Sequence, residues 1–129
     1  MITAGDIQNA PDNFVFIFGD NLEKAGYGGQ AAVARSFVIC GKAFGIPTKR
    51  KPMNTPDSFF SDGEDEAQAI AEAMAEIMMM ALDGKHVVFF PGIGEGYARM
   101  AEKSPNLLRT IKTFIDEMCK RFEAEVRFG

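Results

Sequence analysis

Two glycine-rich segments hold the residues best suited to chemistry in this sequence. The first, residues 19–30, carries Asp20 and Asn21 ahead of three glycines, and the second, residues 92–97, alternates glycine with other residues. Glycine lets a backbone approach a ligand closely and turn its N–H groups toward an anion. Two such segments together predict a phosphate or diphosphate site, whereas tight turns alone would also explain each of them.

The polar side chains of the first segment allow two interpretations. Asp20 and Asn21 could hold ribose hydroxyls, or Asp20 could cap the turn while Asn21 takes a left-handed backbone conformation. Lys49 and Arg50 belong to the chain's only run of three basic residues. They could neutralise a ligand phosphate, or they could form a solvated surface patch.

Several familiar kinds of site are excluded. Neither glycine segment has the complete dinucleotide fingerprint or the lysine-serine pair of a Walker loop. His86 begins a predicted strand, at the end away from the loop, and no Ser-His-Asp or Cys-His set can be assembled. The cysteines, Cys40 and Cys119, lack metal-ligand spacing. We therefore expect neither a metal nor a cofactor.

Two apolar runs must position the glycine segments. Residues 14–18 and 86–90 are continuous apolar stretches that lead directly into them, which is typical of strands buried on both faces. Parallel α/β sheets bind ligands at the carboxyl ends of their strands. Both segments should therefore emerge at the same edge of the sheet and form the two walls of one cleft.

The remaining chain predicts further elements around this sheet. Short strands are expected at residues 2–7, 45–48 and 125–128. Three helices are also expected. The first begins at residue 29 or 30, and the second begins with a capping box at Ser61 and ends near Gly84. The third begins at Ser104-Pro105, with Pro105 at its first helical position. This alternation of strands and helices predicts an α/β fold with a mostly parallel sheet and helices on both faces.

Composition limits the class of protein. The chain has 129 residues, a net charge of −4 and a pI near 5.0, so we expect one globular domain over residues 1–129. The acidic balance argues against general nucleic-acid binding, which needs a positive surface. The sequence shows neither a signal peptide nor a membrane span. Two cysteines without a disulfide pattern favour the cytoplasm. The oligomeric state is left open.

Several short motifs occur together and in order. They are GDI at 5–7, FGDN at 18–21, GGQA at 28–31, GIPTK at 45–49 and GIGEGY at 92–97. This set resembles the macro domain, and more closely a small macro-like family of unassigned function found in phages and bacteria. The resemblance implies a three-layer α/β/α fold with a mixed, mostly parallel sheet. It also implies binding, and in some members hydrolysis, of ADP-ribose or a related nucleotide.

The resemblance also implies a set of ligand contacts. Asp6 and Ile7 would lie near an adenine, Asn21 would contact the distal ribose, and residues 94–97 would wrap the diphosphate. The expected ligand-binding residues are Asp6, Ile7, Gly19, Asn21, Gly28, Gly29, Gln30, Thr48, Lys49, Gly92, Ile93, Gly94, Gly96 and Tyr97.

Two positions depart from the macro-domain pattern. The double asparagine of that family is here Asp20-Asn21, and Glu95 stands where a small hydroxyl residue is usual. A carboxylate facing a diphosphate is repulsive unless it points away, binds a metal or acts as a base. For a hydrolase, Asn21, Asp20 and Glu95 are the candidates that would position water and ribose.

Two other kinds of function are alternatives to a module that binds, or binds and hydrolyses, a nucleotide. One is a non-enzymatic phage or bacterial accessory protein that sequesters a nucleotide signal or binds a host protein, acting in the host cytoplasm if a phage encodes it. The other is a purely structural interaction domain without a small-molecule site.

Overall fold

A computed structural model describes residues 1–127 of the chain, and its centre is a four-stranded sheet. The strands are β1 (Phe14–Asn21), β2 (Ala43–Lys49), β3 (His86–Phe89) and β4 (Glu125–Val126), in the order β2-β1-β3-β4. All three neighbouring pairs are parallel. The predicted α/β class is confirmed, and the sheet is parallel throughout where a mixed sheet was expected.

Five α-helices join and cover these strands within residues 1–127. They are α1 (Ala4–Asn9), α2 (Ala31–Ala34), α3 (Glu64–Leu82), α4 (Met100–Lys103) and α5 (Pro105–Phe122). Helix α3 contacts β2, β3 and α5, while α2 contacts β1 and α1. Helices of this kind are the usual connections between parallel strands, and the arrangement is consistent with α/β/α layering.

The central residues of the two predicted strands are fully buried. In β1, Phe16, Ile17 and Phe18 are inaccessible to solvent, and in β3 so are Val88 and Phe89. A strand buried on both faces needs apolar residues at every position rather than at alternate ones. The continuous apolar runs therefore gave the correct location of both strands, and both glycine segments follow at the same edge.

The first predicted strand is wrong, because residues 4–9 form helix α1. Thr3 is its N-cap, and its hydroxyl accepts a bond from the Asp6 N–H at 3.1 Å. The Asp6 carboxylate in turn accepts a bond from the Thr3 N–H at 2.8 Å. This reciprocal capping box satisfies two backbone donors at once and favours a helix start over an extended chain.

Helix α3 starts later than the capping-box pattern at Ser61 predicts. Its N-cap is Gly63, and the fully buried Glu66 carboxylate accepts bonds from the N–H groups of Ser61 and Gly63. The helix ends at Leu82, just before Gly84, as expected. Helix α5 begins at Pro105 as predicted.

The chain's last strand is shorter than predicted. Strand β4 covers Glu125–Val126 and pairs with β3, while Phe128 of the predicted strand lies outside the described residues. Among the helices of residues 1–127, none has the length and apolar character needed to cross a membrane.

Candidate functional site

A cleft of about 430 Å³ opens at the carboxyl ends of β1 and β2 and the turn that follows β3. Both glycine segments line it, so the structure brings together the two parts of the chain that the sequence singled out. Its lining residues are Gly19, Asp20, Asn21, Ala25, Gly28, Gly29, Gln30, Ala31, Arg35, Thr48, Lys49, Pro52, Asn54, Gly92, Gly94, Glu95, Gly96, Tyr97 and Ala98.

The side chain of Gln30 ties the two walls of the cleft together. Its Oε1 accepts a bond from the Gly19 N–H at 2.8 Å, and its Nε2 donates to the Pro91 carbonyl at 2.6 Å. Gly19 belongs to the first wall, and Pro91 begins the turn of the second. Because both ends of the amide are engaged, we assign Gln30 the role of spacing the walls.

Asp20 is held in a buried ion pair. Only 7% of its side chain is exposed, and it receives two bonds from the Arg35 guanidinium, at 2.6 and 3.2 Å. Its Oδ1 also accepts the Asn21 N–H at 2.8 Å. Planar, two-point contacts of this kind are among the strongest that a carboxylate makes. Asp20 is therefore charge-neutralised and has little remaining capacity to act as a base.

Arg35 extends this ion pair into the first glycine segment. Its Nε donates to the Gly26 carbonyl at 2.6 Å, and its Nη2 donates to the Ala25 carbonyl at 3.0 Å. One guanidinium thus joins the end of β1 to the loop that follows it. The sequence offered one signal for this role: Arg35 falls on the same helical stripe as the apolar Ala31, Ala34 and Val38.

Asn21 closes a small loop. Its Nδ2 donates to the Ala25 carbonyl at 2.7 Å, and its Oδ1 accepts the Ala25 N–H at 3.3 Å. Asn21 remains in strand β1, and Lys24 takes the left-handed conformation in this turn. The residue is buried, at 8% exposure. The expected left-handed conformation of Asn21 is therefore wrong, and the Asn21 side chain instead closes the loop at the edge of the cleft.

Thr48 and Lys49 form the floor contributed by β2. The Thr48 hydroxyl donates to the Asp20 carbonyl at 3.1 Å. The Lys49 ammonium donates to the Met53 carbonyl and lies 3.4 Å from Asn54 Oδ1. Lys49 is only 9% exposed, and burial lowers the pKa of its ammonium because the charged form loses hydration. Among residues 1–127, no carboxylate lies within 4 Å of it.

The other two residues of the basic run have different partners. Arg50 pairs with Glu66 at 2.7 Å and with Asp65 at 2.8 Å, and it fixes the start of α3. Its contact with Asp65 is the main reason that the Arg50 pKa is raised. Lys51 pairs with Asp57. The run therefore contributes one cation to the cleft, Lys49, while Arg50 lies outside its lining.

The second wall depends on glycine at three positions. Gly92, Gly94 and Gly96 have φ angles of +70°, +88° and +60°. A Cβ at Gly94 would lie 2.8 Å from both Leu108 Cδ1 and Met100 Sδ, so the backbone packs directly on the core there. Ile93, an expected ligand contact, is 3% exposed and belongs to this core rather than to the cleft lining.

Tyr97 reaches across to the first wall. A Cβ at Gly29 would lie 3.3 Å from Tyr97 Cδ2, so the absence of a side chain at Gly29 gives the ring its place. The residue is nevertheless 65% exposed. Its ring therefore presents an aromatic surface at the rim of the cleft.

Glu95 lies at the mouth of the cleft. Its carboxylate is 3.4 Å from the Lys112 ammonium of α5, and 53% of its side chain is exposed. A Cβ at Gly92 would lie 3.0 Å from Glu95 Oε2, which places the carboxylate over the turn. Glu95 is the lining acid that retains access to solvent.

Asp6 and Ile7 do not line the cleft. Ile7 is 1% exposed in the core, and Asp6 caps α1. Asp6 borders a separate open hollow with Phe14, the first residue of β1, at the other end of that strand. The resemblance implied that both residues contact the ligand, but α1 places them at the amino end of β1, away from the cleft.

Sequence reasoning missed Arg35, Pro52 and Asn54 as lining residues. Pro52 and Asn54 enter because the loop after β2 folds back over Lys49, which short-range patterns do not reveal. No three His, Cys, Asp or Glu side chains within the described part of the chain converge as metal ligands. Within residues 1–127, the cleft thus combines an ammonium that has no carboxylate partner with backbone N–H groups and an aromatic rim.

The sequence of the chain matches one known protein family over most of its length. Residues 1–114 match a family described as a family of unknown function, DUF7831. No curated protein and no solved structure matches the chain. Because both glycine segments, Arg35 and Lys49 fall within the matched residues, the whole cleft lies in the family region. The chain belongs to the DUF7831 family.

Proposed function

We propose that the cleft binds a nucleotide of the ADP-ribose type and holds it mainly through its phosphate groups. The observation that carries this proposal is Lys49, a buried ammonium that lines the cleft and has no carboxylate partner among residues 1–127. Burying a charge is costly unless an opposite charge or a full set of hydrogen bonds compensates it. A ligand phosphate would supply that compensation.

The lowered pKa of Lys49 supports the same proposal. Its physical cause is desolvation, which penalises the protonated form. A phosphate close to the ammonium would stabilise the protonated form and raise the pKa again. Binding of an anion and protonation of Lys49 should therefore favour each other.

Backbone donors at the first wall add to this support. Within residues 1–127, the N–H groups of Gly28 and Gly29 donate to no protein acceptor. Gly29 has a φ of +58° and Gln30 follows in a right-handed conformation. Successive residues of opposite handedness turn their N–H groups into a shared concavity that suits an anion.

The two acids of the cleft do not oppose a phosphate ligand. Asp20 is paired with Arg35 at 2.6 Å, and Glu95 lies 3.4 Å from Lys112. Each negative charge thus has its own cation, and Lys49 remains as a positive charge without such a match. The balance of charge around the cleft favours an anion despite the acidic composition of the chain.

We infer binding without hydrolysis as the better-supported version. General acid-base catalysis most often uses a histidine, glutamate or aspartate side chain that lies within hydrogen-bond reach of the reacting atoms and is free to exchange a proton. Asp20 and Asn21 use their polar atoms within the scaffold. Glu95 is the remaining catalytic candidate, and its exposed position beside Lys112 gives it no buried environment. Sequestration of a nucleotide fits this arrangement.

Calorimetric titration with ADP-ribose, NAD, AMP and cyclic nucleotides tests the proposal, and mass spectrometry of the ligand tests for turnover. Hydrogen bonds to charged groups contribute about 1.5–3 kcal/mol, so Lys49→Gln should weaken binding by about 10- to 100-fold. Arg121→Gln removes an exposed cation at the end of α5 and is the matched control. No binding at millimolar ligand to folded protein, or equal affinity of the Lys49→Gln variant, would refute it.

A further inference from the structure

A second group of cations lies next to the cleft, around the ring of Phe59. The Lys49 ammonium is 5.0 Å from the ring centroid, the Arg99 guanidinium 5.7 Å and the Lys103 ammonium 5.5 Å. Phe59 itself is buried, at 7% exposure. We call these three cationic side chains the Phe59 cluster. Cations favour the face of an aromatic ring, but each of the three also repels the other two.

The charge of the Phe59 cluster is only partly balanced. Glu102 lies 2.8 Å from Arg99 and 3.9 Å from Lys103, so one carboxylate serves two cations. Lys49 has no carboxylate partner within the described residues. The cluster therefore concentrates an excess of positive charge in a chain whose net charge is −4. All three cations lie around the same ring, and an anion that contacted them would offset their mutual repulsion.

Arg99 is placed in the cluster by an unfavourable backbone conformation. Its φ and ψ are 50° and 37°, in the left-handed region that residues other than glycine rarely adopt. The Arg99 N–H donates to the Gly96 carbonyl, and the next N–H donates to the Gly94 carbonyl. The second wall of the cleft thus holds Arg99 in this conformation. Residues in such conformations often occur at binding sites.

Lys49 belongs to both places. It lines the cleft, and its ammonium is also the cation nearest the Phe59 ring. Ala98, the residue before Arg99, also lines the cleft. The Phe59 cluster therefore adjoins the cleft through Lys49 and Ala98.

We propose that the Phe59 cluster binds a second phosphate group, so that the preferred ligand is a nucleotide with two separate phosphates, of the nucleoside bisphosphate class. This inference rests on the proposed nucleotide binding. One phosphate occupies the cleft at Lys49, and the other lies against Arg99 and Lys103. Their side chains are 51% and 39% exposed, so the second phosphate remains close to solvent.

The test compares three adenine nucleotides by calorimetry. AMP has one phosphate, ADP has two adjacent phosphates, and adenosine 3′,5′-bisphosphate has two separate ones. Partly exposed charge contacts are individually weak, so we expect the bisphosphate to bind about 5- to 10-fold more tightly than ADP. The Arg99→Gln/Lys103→Gln variant should lose this preference and keep its AMP affinity within about twofold.

Matched variants separate local from general charge effects. Lys120→Gln/Arg121→Gln removes the same number of charges from the far end of α5 and should leave the preference unchanged. Lys49→Gln should weaken both AMP and the bisphosphate, because each of these ligands places one phosphate at Lys49. Lys103→Gln alone, which leaves the Arg99 backbone untouched, should give an intermediate loss and replaces the double variant if that one does not fold.

The outcomes distinguish this inference from the function on which it rests. If none of the three nucleotides binds, the second phosphate site is wrong, and if ADP-ribose also fails to bind, nucleotide binding by the cleft is wrong as well. If AMP binds but the bisphosphate binds no more tightly than ADP, the second phosphate site is wrong while nucleotide binding stands. Retention of the bisphosphate preference by the Arg99→Gln/Lys103→Gln variant would also overturn it.

Discussion

Replacing Arg35 with methionine should reveal how strongly the cleft depends on one buried ion pair. The side chains of Arg35 and Asp20 are 12% and 7% exposed, and Arg35 also donates to two carbonyls of the loop that follows β1. Arg35→Met keeps much of the side-chain volume and removes every one of these donors. Asp20 is then left as a buried carboxylate without its cation.

The size of the effect follows from that stranded charge. Removing one partner of a buried ion pair costs about 3–5 kcal/mol. The slight exposure of this pair favours the lower end, so we expect a loss of about 3 kcal/mol. A chain of this length has a total stability of roughly 6–19 kcal/mol, which means that Arg35→Met should remain folded but be clearly weakened.

The partner substitution should behave differently. Asp20→Asn has nearly the same shape, which matters because a Cβ at Gly45 would lie only 2.7 Å from Asp20 Cβ. Arg35 would keep its two carbonyl acceptors, so the cost should be about 1–2 kcal/mol. The double variant leaves no stranded carboxylate and should be at least about 1 kcal/mol more stable than the two single losses added together.

Urea denaturation followed by circular dichroism measures these free energies of unfolding. Arg121→Met is the control, because its side chain is 74% exposed in a surface pair with Glu117. It should change stability by about 0.5 kcal/mol or less. The reasoning fails if Arg35→Met lies within about 1 kcal/mol of the wild type, or if the double-variant losses simply add.

Two further predictions concern the packing of the second wall and the free energy of unfolding at acidic pH. Gly94→Ala should cost about 1–3 kcal/mol more than Gly41→Ala in urea denaturation. Both positions have positive φ angles, but only at Gly94 would the Cβ meet core atoms, and equal losses would contradict this. Hydrogen bonds from Lys51 and Thr55 lower the pKa of Asp57 from its ordinary value of 3.8 to about 2. The stabilisation that this carboxylate provides should therefore be complete above pH 3.8 and disappear as the pH falls toward 2. Asp57→Asn should flatten that part of the pH profile, and a carboxyl NMR titration with an ordinary midpoint would refute the assignment.

The sequence predicted the central sheet because burial leaves a local signature. Residues 14–18 and 87–90 are apolar at every position, and such runs can be recognised without knowing which strands they pair with. The extension of β1 to Asn21 was not foreseen, because its last residues are polar. They continue the strand since β2 supplies backbone partners there, with a register shift between Asp20 and Asn21.

The misread first element had a visible signal of its own. The pattern of residues 2–7 predicts a strand, yet Thr3 and Asp6 have the spacing of a capping box, with Asp in place of the usual Glu or Gln. Likewise, Glu66 rather than Glu64 closes the box that starts α3. In both places the choice among neighbouring caps depends on which carboxylate can fold back onto the backbone.

The charge of the cleft was the part least accessible from sequence. Asp20 and Glu95 are visible as acids beside glycine segments, and on composition alone they argue against a phosphate ligand. Their partners, Arg35 and Lys112, lie 15 and 17 positions further along the chain, on separate elements. A one-dimensional pattern identifies charges but does not show which of them are paired.

The ion pairs also decide between the two roles considered for the basic run at residues 49–51, which were a phosphate contact and a solvated surface patch. Lys51 pairs with Asp57 and Arg50 with Glu66, so two residues of the basic run belong to local ion pairs. Lys49 directly precedes them in the chain, yet its side chain lines the cleft and contacts carbonyl and amide oxygens instead of a carboxylate. The electrostatic sign of the cleft is thus decided by one residue whose neighbours are neutralised, which is why a single substitution, Lys49→Gln, is expected to have so large an effect on anion binding.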